Sequence, residues 1–144
     1  MSKPKEFLKA QSLRDWDTAD ALDAQLNEDE RREYHLLAMA LFAGAVGDRL
    51  GDDPSRDEID RFVNEMRHDY RNADPKVNFL ALEAMIRGLY GEDHLIDDLP
   101  VKEQHLVLVP TIIKVVAQSD HMQQRLDDFL TDAETLAAHW QSEN

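Results

Sequence analysis

One stretch constrains the fold more than any other. Asn27-Glu28-Asp29-Glu30 has the form of a helix start: an N-cap amide, an acidic first turn, and a glutamate at the third helical position that completes a capping box. The residues that follow include YHLLAMALFAGAVG, apolar nearly all round, and Gly51 supplies a stop after Leu50. A helix with one apolar stripe can lie on a surface. A helix that is apolar on every side has to be covered on every side. Residues 28–50 therefore predict the central helix of a helical domain. Gly44 and Gly47 lower its propensity, and their expected role is close approach of a neighbouring helix.

Further helices follow from similar punctuation. Ser55-Arg56-Asp57-Glu58 is a second capping box, and Ile59, Phe62, Val63, Met66 and Tyr70 continue it as an amphipathic stripe. Asp74-Pro75 reads as a third start, with Asp as N-cap and Pro at the first helical position. That helix should reach about Tyr90 and close at Gly91. Only Lys76, Glu83 and Arg87 give it a polar strip, so it predicts a second largely buried helix. Residues 100–118 are rich in β-branched side chains and contain Pro110. Leu106, Val109, Ile113 and Val116 keep helical spacing, which favours a helix kinked or restarted at Pro110 over a short strand. The last helix should begin near Ser119-Asp120. Its Met122, Leu126, Phe129, Ala133, Leu136 and Trp140 form a heptad-like seam, suited to its own bundle or to a dimer. Residues 18–26 predict a brief helix.

The expected architecture is an all-α, single-domain bundle of five to six helices over residues 17–144, with two central buried helices at about 28–50 and 75–90. Residues 1–16 read as a mobile or docking arm, or a short helix bearing Phe7, Leu8, Leu13 and Trp16.

Charge narrows the functional classes. The net charge is −14, from 30 acidic and 16 basic residues, and it is unevenly placed. Residues 1–14 carry Lys3, Lys5, Lys9 and Arg14 against Glu6, which leaves residues 15–144 strongly acidic. Such a field repels nucleic acid and anionic membrane surfaces and suits a basic partner or plain solubility. There is no cysteine, so disulfides, thiolate metal sites and a cysteine nucleophile are excluded. The N-terminal residues lack the apolar core of a signal peptide, and Leu36–Ala43 is far too short for a membrane span. The expected location is the cytoplasm.

Motifs for chemistry are weak. Glu65-Met66-Arg67-His68 matches the E-x-x-H half-motif of di-iron bundles, but no second copy occurs. With Ile59, Phe62, Val63, Met66 and Tyr70 facing the core, His68 falls about 180° away at 100° per residue. His68-Asp69 is likewise an HD dipeptide on the polar face. The acidic loop from Asp48 to Asp57 lacks the Gly and Glu that an EF-hand needs at positions 6 and 12. Glu92-Asp93-His94 is a loop cluster with no further ligand. Phosphate-loop, dinucleotide and nucleophile-elbow motifs are absent. No cofactor, metal ligand set or catalytic residue is therefore expected. If a pocket exists between the central helices, Tyr34, His35, Asn78 and His105 are its polar linings.

The stretch SRDEIDRFVNEMRHDY…NADPKVNFLALEAMIRGLYGEDHLIDDLP resembles small acidic helical proteins of GC-rich actinobacteria, and the excess of Arg over Lys suits such a genome. The resemblance implies the helical fold and transfers no site.

The leading functional expectation is a non-enzymatic helical module for protein interaction or regulation, with a protein partner or a second copy of itself. Phe7, Leu8, Leu13 and Trp16 of the arm, and Met122, Leu126, Phe129, Leu136 and Trp140 of the seam, are the candidate interface residues. The alternatives are an acidic mimic of nucleic acid that blocks a basic protein, and a small-molecule-binding bundle or enzyme.

Overall fold

The computed structural model describes residues 1–143, and among them it contains nine helices and no strand. They are α1 (Lys3–Ser12), α2 (Trp16–Asp23), α3 (Glu28–Leu50), α4 (Arg56–Asp69), α5 (Phe79–Leu89), α6 (His94–Asp97), α7 (Val101–Gln118), α8 (Asp120–Gln124) and α9 (Leu126–Ser142). The all-α class holds, but the count of five to six helices does not. Three elements account for the surplus. The first lies within residues 1–16, the second is the single turn α6, and the third arises where the final helix breaks at Arg125.

Helix α3 is the centre. Asn27 Oδ1 accepts from the Glu30 N–H at 2.9 Å, and Glu30 Oε1 accepts from the Asn27 N–H at 3.1 Å. That reciprocal pair satisfies two of the helix's orphan donors. Downstream, Leu37, Ala38, Leu41, Phe42, Ala45 and Val46 are buried. Helices α1, α7 and α9 pack around it. Gly51 ends the helix at φ +80° and ψ −166°, a region essentially reserved for glycine, where an L side chain would cost about 1–3 kcal/mol.

Helix α4 starts as its capping box requires, with Ser55 and Glu58 bonded reciprocally at 3.1 and 3.2 Å. It lays Ile59, Phe62, Val63 and Met66 onto α5 and the core. The second central helix is shorter than its sequence suggests. Asp74-Pro75 lies in the preceding loop, and the true cap is Asn78, whose Oδ1 accepts from the N–H groups of Leu80 and Ala81, each at 3.1 Å. Leu82, Met85 and Ile86 are then fully enclosed.

Residues 101–118 form one helix that contains Pro110. The Tyr70 hydroxyl donates to the Pro110 carbonyl at 2.9 Å, and the buried Thr111 hydroxyl donates to the Val107 carbonyl at 2.8 Å. One turn on, Lys114 is an almost completely buried cation whose ammonium donates to the Asp69 carboxylate. The Lys114 bond holds the Asp69 carboxyl below its ordinary range.

The N-terminal residues are a structural helix. Phe7, Leu8 and Ala10 of α1 are buried in the common core. Two of its cations are consumed by α9: Lys5 pairs with Glu134 at 2.7 Å and Lys9 with Asp127 at 2.8 Å. After Ser12 the chain reverses through Arg14 at φ +60°, and the Asp15 N–H donates back to the Ala10 carbonyl at 2.8 Å. This reversal lays α2 against α1.

The glycines divide unexpectedly. A methyl group on Gly47 would meet nothing within 4 Å, and one on Gly44 would make ordinary contact with Phe129 at 3.6 Å. Neither mediates a close helix approach. Gly88 does, because a methyl group there would overlap the side chain of Ile96 on α6.

Two predictions follow from this packing. Gly47→Ala should stabilise the protein by about 0.5–1 kcal/mol through helix propensity and the unfolded chain, while Gly88→Ala should destabilise it by about 1–3 kcal/mol through overpacking. Urea midpoints of the two variants then move in opposite directions from wild type. Asp69→Asn should cost about 1–2 kcal/mol, because it strands the Lys114 charge while the half-exposed carboxylate is already partly screened. Adding Lys114→Met should recover most of that loss in the same assay.

Candidate functional site

Three of the four residues expected to line a pocket do come together. Tyr34 and His35 are adjacent on α3, and His105 faces them from α7. The Tyr34 and His105 rings stack with centroids 5.7 Å apart, and the His35 and His105 rings meet edge-on at 5.0 Å. Phe7 of α1 closes the row against Tyr34 at 4.8 Å. Asn78 is elsewhere: it caps α5, and its Nδ2 donates to Glu103 Oε2 at 3.0 Å.

Two glutamines that the sequence reading passed over organise this cluster. The Tyr34 hydroxyl donates to Gln11 Oε1 at 2.6 Å. Burial pushes the phenol up to about 12 despite that bond. Gln104 Nε2 donates to the Leu99 carbonyl at 3.0 Å, which directs Gln104 Oε1 to His35 Nε2 at 3.2 Å. Burial holds His35 below its ordinary value, with the Gln104 bond opposing it, and burial together with the neighbouring His35 lowers His105. Beside Tyr34 and His105 opens a cleft of about 290 Å³, whose other walls include Phe7, Gln11, Asp23 and Arg31. Arg31 is occupied there by Asp23, at 2.9 Å.

The weak motifs are accounted for by surface pairing. Glu65 accepts from Arg49 at 2.6 Å, and His68 is exposed. Glu92 is gripped by two bonds from Arg87, at 2.6 and 2.7 Å. Among the described residues, no three His, Asp or Glu side chains gather as a metal ligand set.

The candidate interface residues split between core and surface. Phe7, Leu8, Met122 and Leu126 are buried. In α9 the enclosed stripe is Leu126, Leu130, Ala133 and Ala137, directed at α3. Phe129, Leu136 and Trp140 lie roughly 60° around the helix and pack half-buried against the same core. The heptad-like seam is thus largely used within the molecule. Leu13 and Trp16, by contrast, remain 48% and 47% exposed, and Met1 is 60% exposed.

Met1 and Leu13, though not Trp16, line an open groove. It lies between α1 and α2, encloses about 730 Å³, and is floored by Ala10, Ala21 and Leu22 beside Leu13 and Met1. Its rim carries Glu6, Asp15 and Asp17. Lys9 is also on the rim, but its charge is taken up by Asp127. Nothing in the sequence periodicity marks this groove, because it is made by the reversal at Arg14. A small exposed apolar spot also occurs at the start of α5, where Leu80 is 77% exposed. No helix is long and apolar enough among the described residues to cross a membrane. No family model, curated protein or solved structure matches the chain.

The histidine pair has a pH consequence. Both imidazoles are lowered in the folded chain, so on acidification the unfolded chain takes up protons first, beginning near the ordinary value of 6.5. Stability should therefore fall as pH drops from 6.5 to about 5, above the range where carboxylates titrate. In chelator-containing buffer, urea midpoints should show that slope in wild type. A His35→Gln/His105→Gln double variant should show a flatter one.

Proposed function

We propose that this chain is a non-enzymatic interaction module that holds an amphipathic helix of a protein partner in the groove between α1 and α2. The observation that carries the reading is the groove itself: an apolar floor left uncovered by the chain's own helices, with carboxylates at its edge. Helix-in-groove recognition needs an apolar trough about one helix wide, with flanking charge to set orientation. An open trough of about 730 Å³ is suited to side chains from one face of a helix.

The charge of the occupant follows from the rim. Glu6, Asp15 and Asp17 flank the floor, while Lys5 and Lys9 are spent on α9. The whole chain adds a field of −14. A segment with Lys or Arg beside its apolar stripe is therefore steered in, and an acidic one is repelled. Leu13 supplies a half-exposed apolar side chain whose remaining burial by a partner would contribute about 0.7–1.5 kcal/mol.

Two synthetic helical peptides with the same Leu-rich face, one with Lys and one with Glu on the polar face, test this by NMR titration of the full chain. The Lys peptide should bind saturably, with amide shifts confined to α1, α2 and the turn between them, at residues such as Leu13, Ala21 and Leu22. Leu13→Asp should weaken it about tenfold or more. Raised salt should slow association without abolishing the apolar contacts. Equal binding of both peptides, or shifts centred on another face, would contradict the reading.

A further inference from the structure

We propose that His35 and His105 form a two-imidazole site for a late first-row divalent transition ion, of the Zn²⁺, Ni²⁺ or Cu²⁺ class, between α3 and α7. The inference is independent of the α1–α2 groove and goes beyond it.

The first argument is a fixed tautomer. Gln104 Nε2 donates to the Leu99 carbonyl, so the amide cannot flip without losing that bond. Its oxygen then faces His35 Nε2 at 3.2 Å. An oxygen acceptor requires a proton on that nitrogen, so Nδ1 carries the lone pair. His35 Nδ1 is buried and has no hydrogen-bond partner among the described residues. An imidazole whose one N–H is held by a carbonyl oxygen, with the other nitrogen bare, is the arrangement that outer-shell partners impose on metal-bound histidines.

The second argument is distance. Imidazole nitrogen sits about 2.0–2.1 Å from a bound Zn²⁺, and each nitrogen is about 1.2 Å from its ring centre. Two rings on one ion at a tetrahedral angle therefore have centroids about 5 Å apart. The His35 and His105 centroids are 5.0 Å apart. His105 shows no hydrogen bond to another described residue, so its ring is held only by stacking and can turn to present a nitrogen. Burial keeps both rings neutral, the form that ligates.

Access and selectivity also fit. His105 borders the 290 Å³ cleft and His35 does not, so an ion would enter the pair from the His105 side. A donor pair made of two imidazole nitrogens favours borderline ions over hard ones such as Mg²⁺.

Calorimetric titration of the untagged full chain with ZnCl₂, and separately with MgCl₂, tests the proposal. Zn²⁺ should bind one to one. His35→Gln and His105→Gln should each weaken it about tenfold or more, while His94→Gln and His121→Gln should not change it. Circular dichroism establishes that each variant is folded. In wild type, a Ni²⁺ titration followed by imidazole NMR should broaden His35 and His105 together before His68, His94, His121 or His139. This second arm stands if a core variant fails to fold. No saturable Zn²⁺ binding, binding unchanged in both core variants, or prior broadening of the surface histidines would overturn the proposal.

Discussion

The enclosure of α3 is the constraint on which the rest of the structure depends. Its Leu37, Leu41, Phe42 and Val46 point in different directions around the axis, and all are buried. No single neighbour can cover such a surface. Helices α1, α7 and α9 do so together, and α5 closes the outer side of α7. The positions of the N-terminal helix and of the Tyr34–His35–His105 cluster both follow from this demand. Residue 7 on α1 and residue 105 on α7 meet across residue 34 because each helix has to lie on α3.

The same demand explains how an acidic chain can keep a basic N-terminal helix. Apolar burial of Phe7 and Leu8 brings α1 in, and Lys5 and Lys9 then lie opposite Glu134 and Asp127 of α9. Partly exposed ion pairs of this kind contribute little energy, but they favour one orientation. The orientation leaves the outer side of α1 facing α2 across a trough edged by Glu6, Asp15 and Asp17.

Where capping chemistry is local, the helices were legible in the sequence. Asn27 with Glu30, Ser55 with Glu58, and Gly51 mark their helix ends by hydrogen bonds that lie within four residues. Asp74-Pro75 misled because it has the composition of a cap, while the competing Asn78 had a second partner, Glu103, that only the fold supplies. The break at Arg125 was invisible because the seam from Met122 to Trp140 keeps its period through it. Helix α1 was harder still. Its Phe7 and Leu8 are too few to signal a buried face, and the surface that covers them comes from residues far along the chain. For the cluster, the residue types pointed to Tyr34, His35 and His105. The glutamines that orient them carried no signal of their own. Gly44 and Gly47 invited a packing role that the space around them does not require.

Native-state hydrogen exchange tests the central claim most directly. If α1 is part of the coat that α3 requires, the amides of residues 8–12 should exchange only through openings close in free energy to those of residues 37–46. Fast exchange of residues 8–12, with 37–46 still protected, would show that α3 is covered without α1, and would contradict the account.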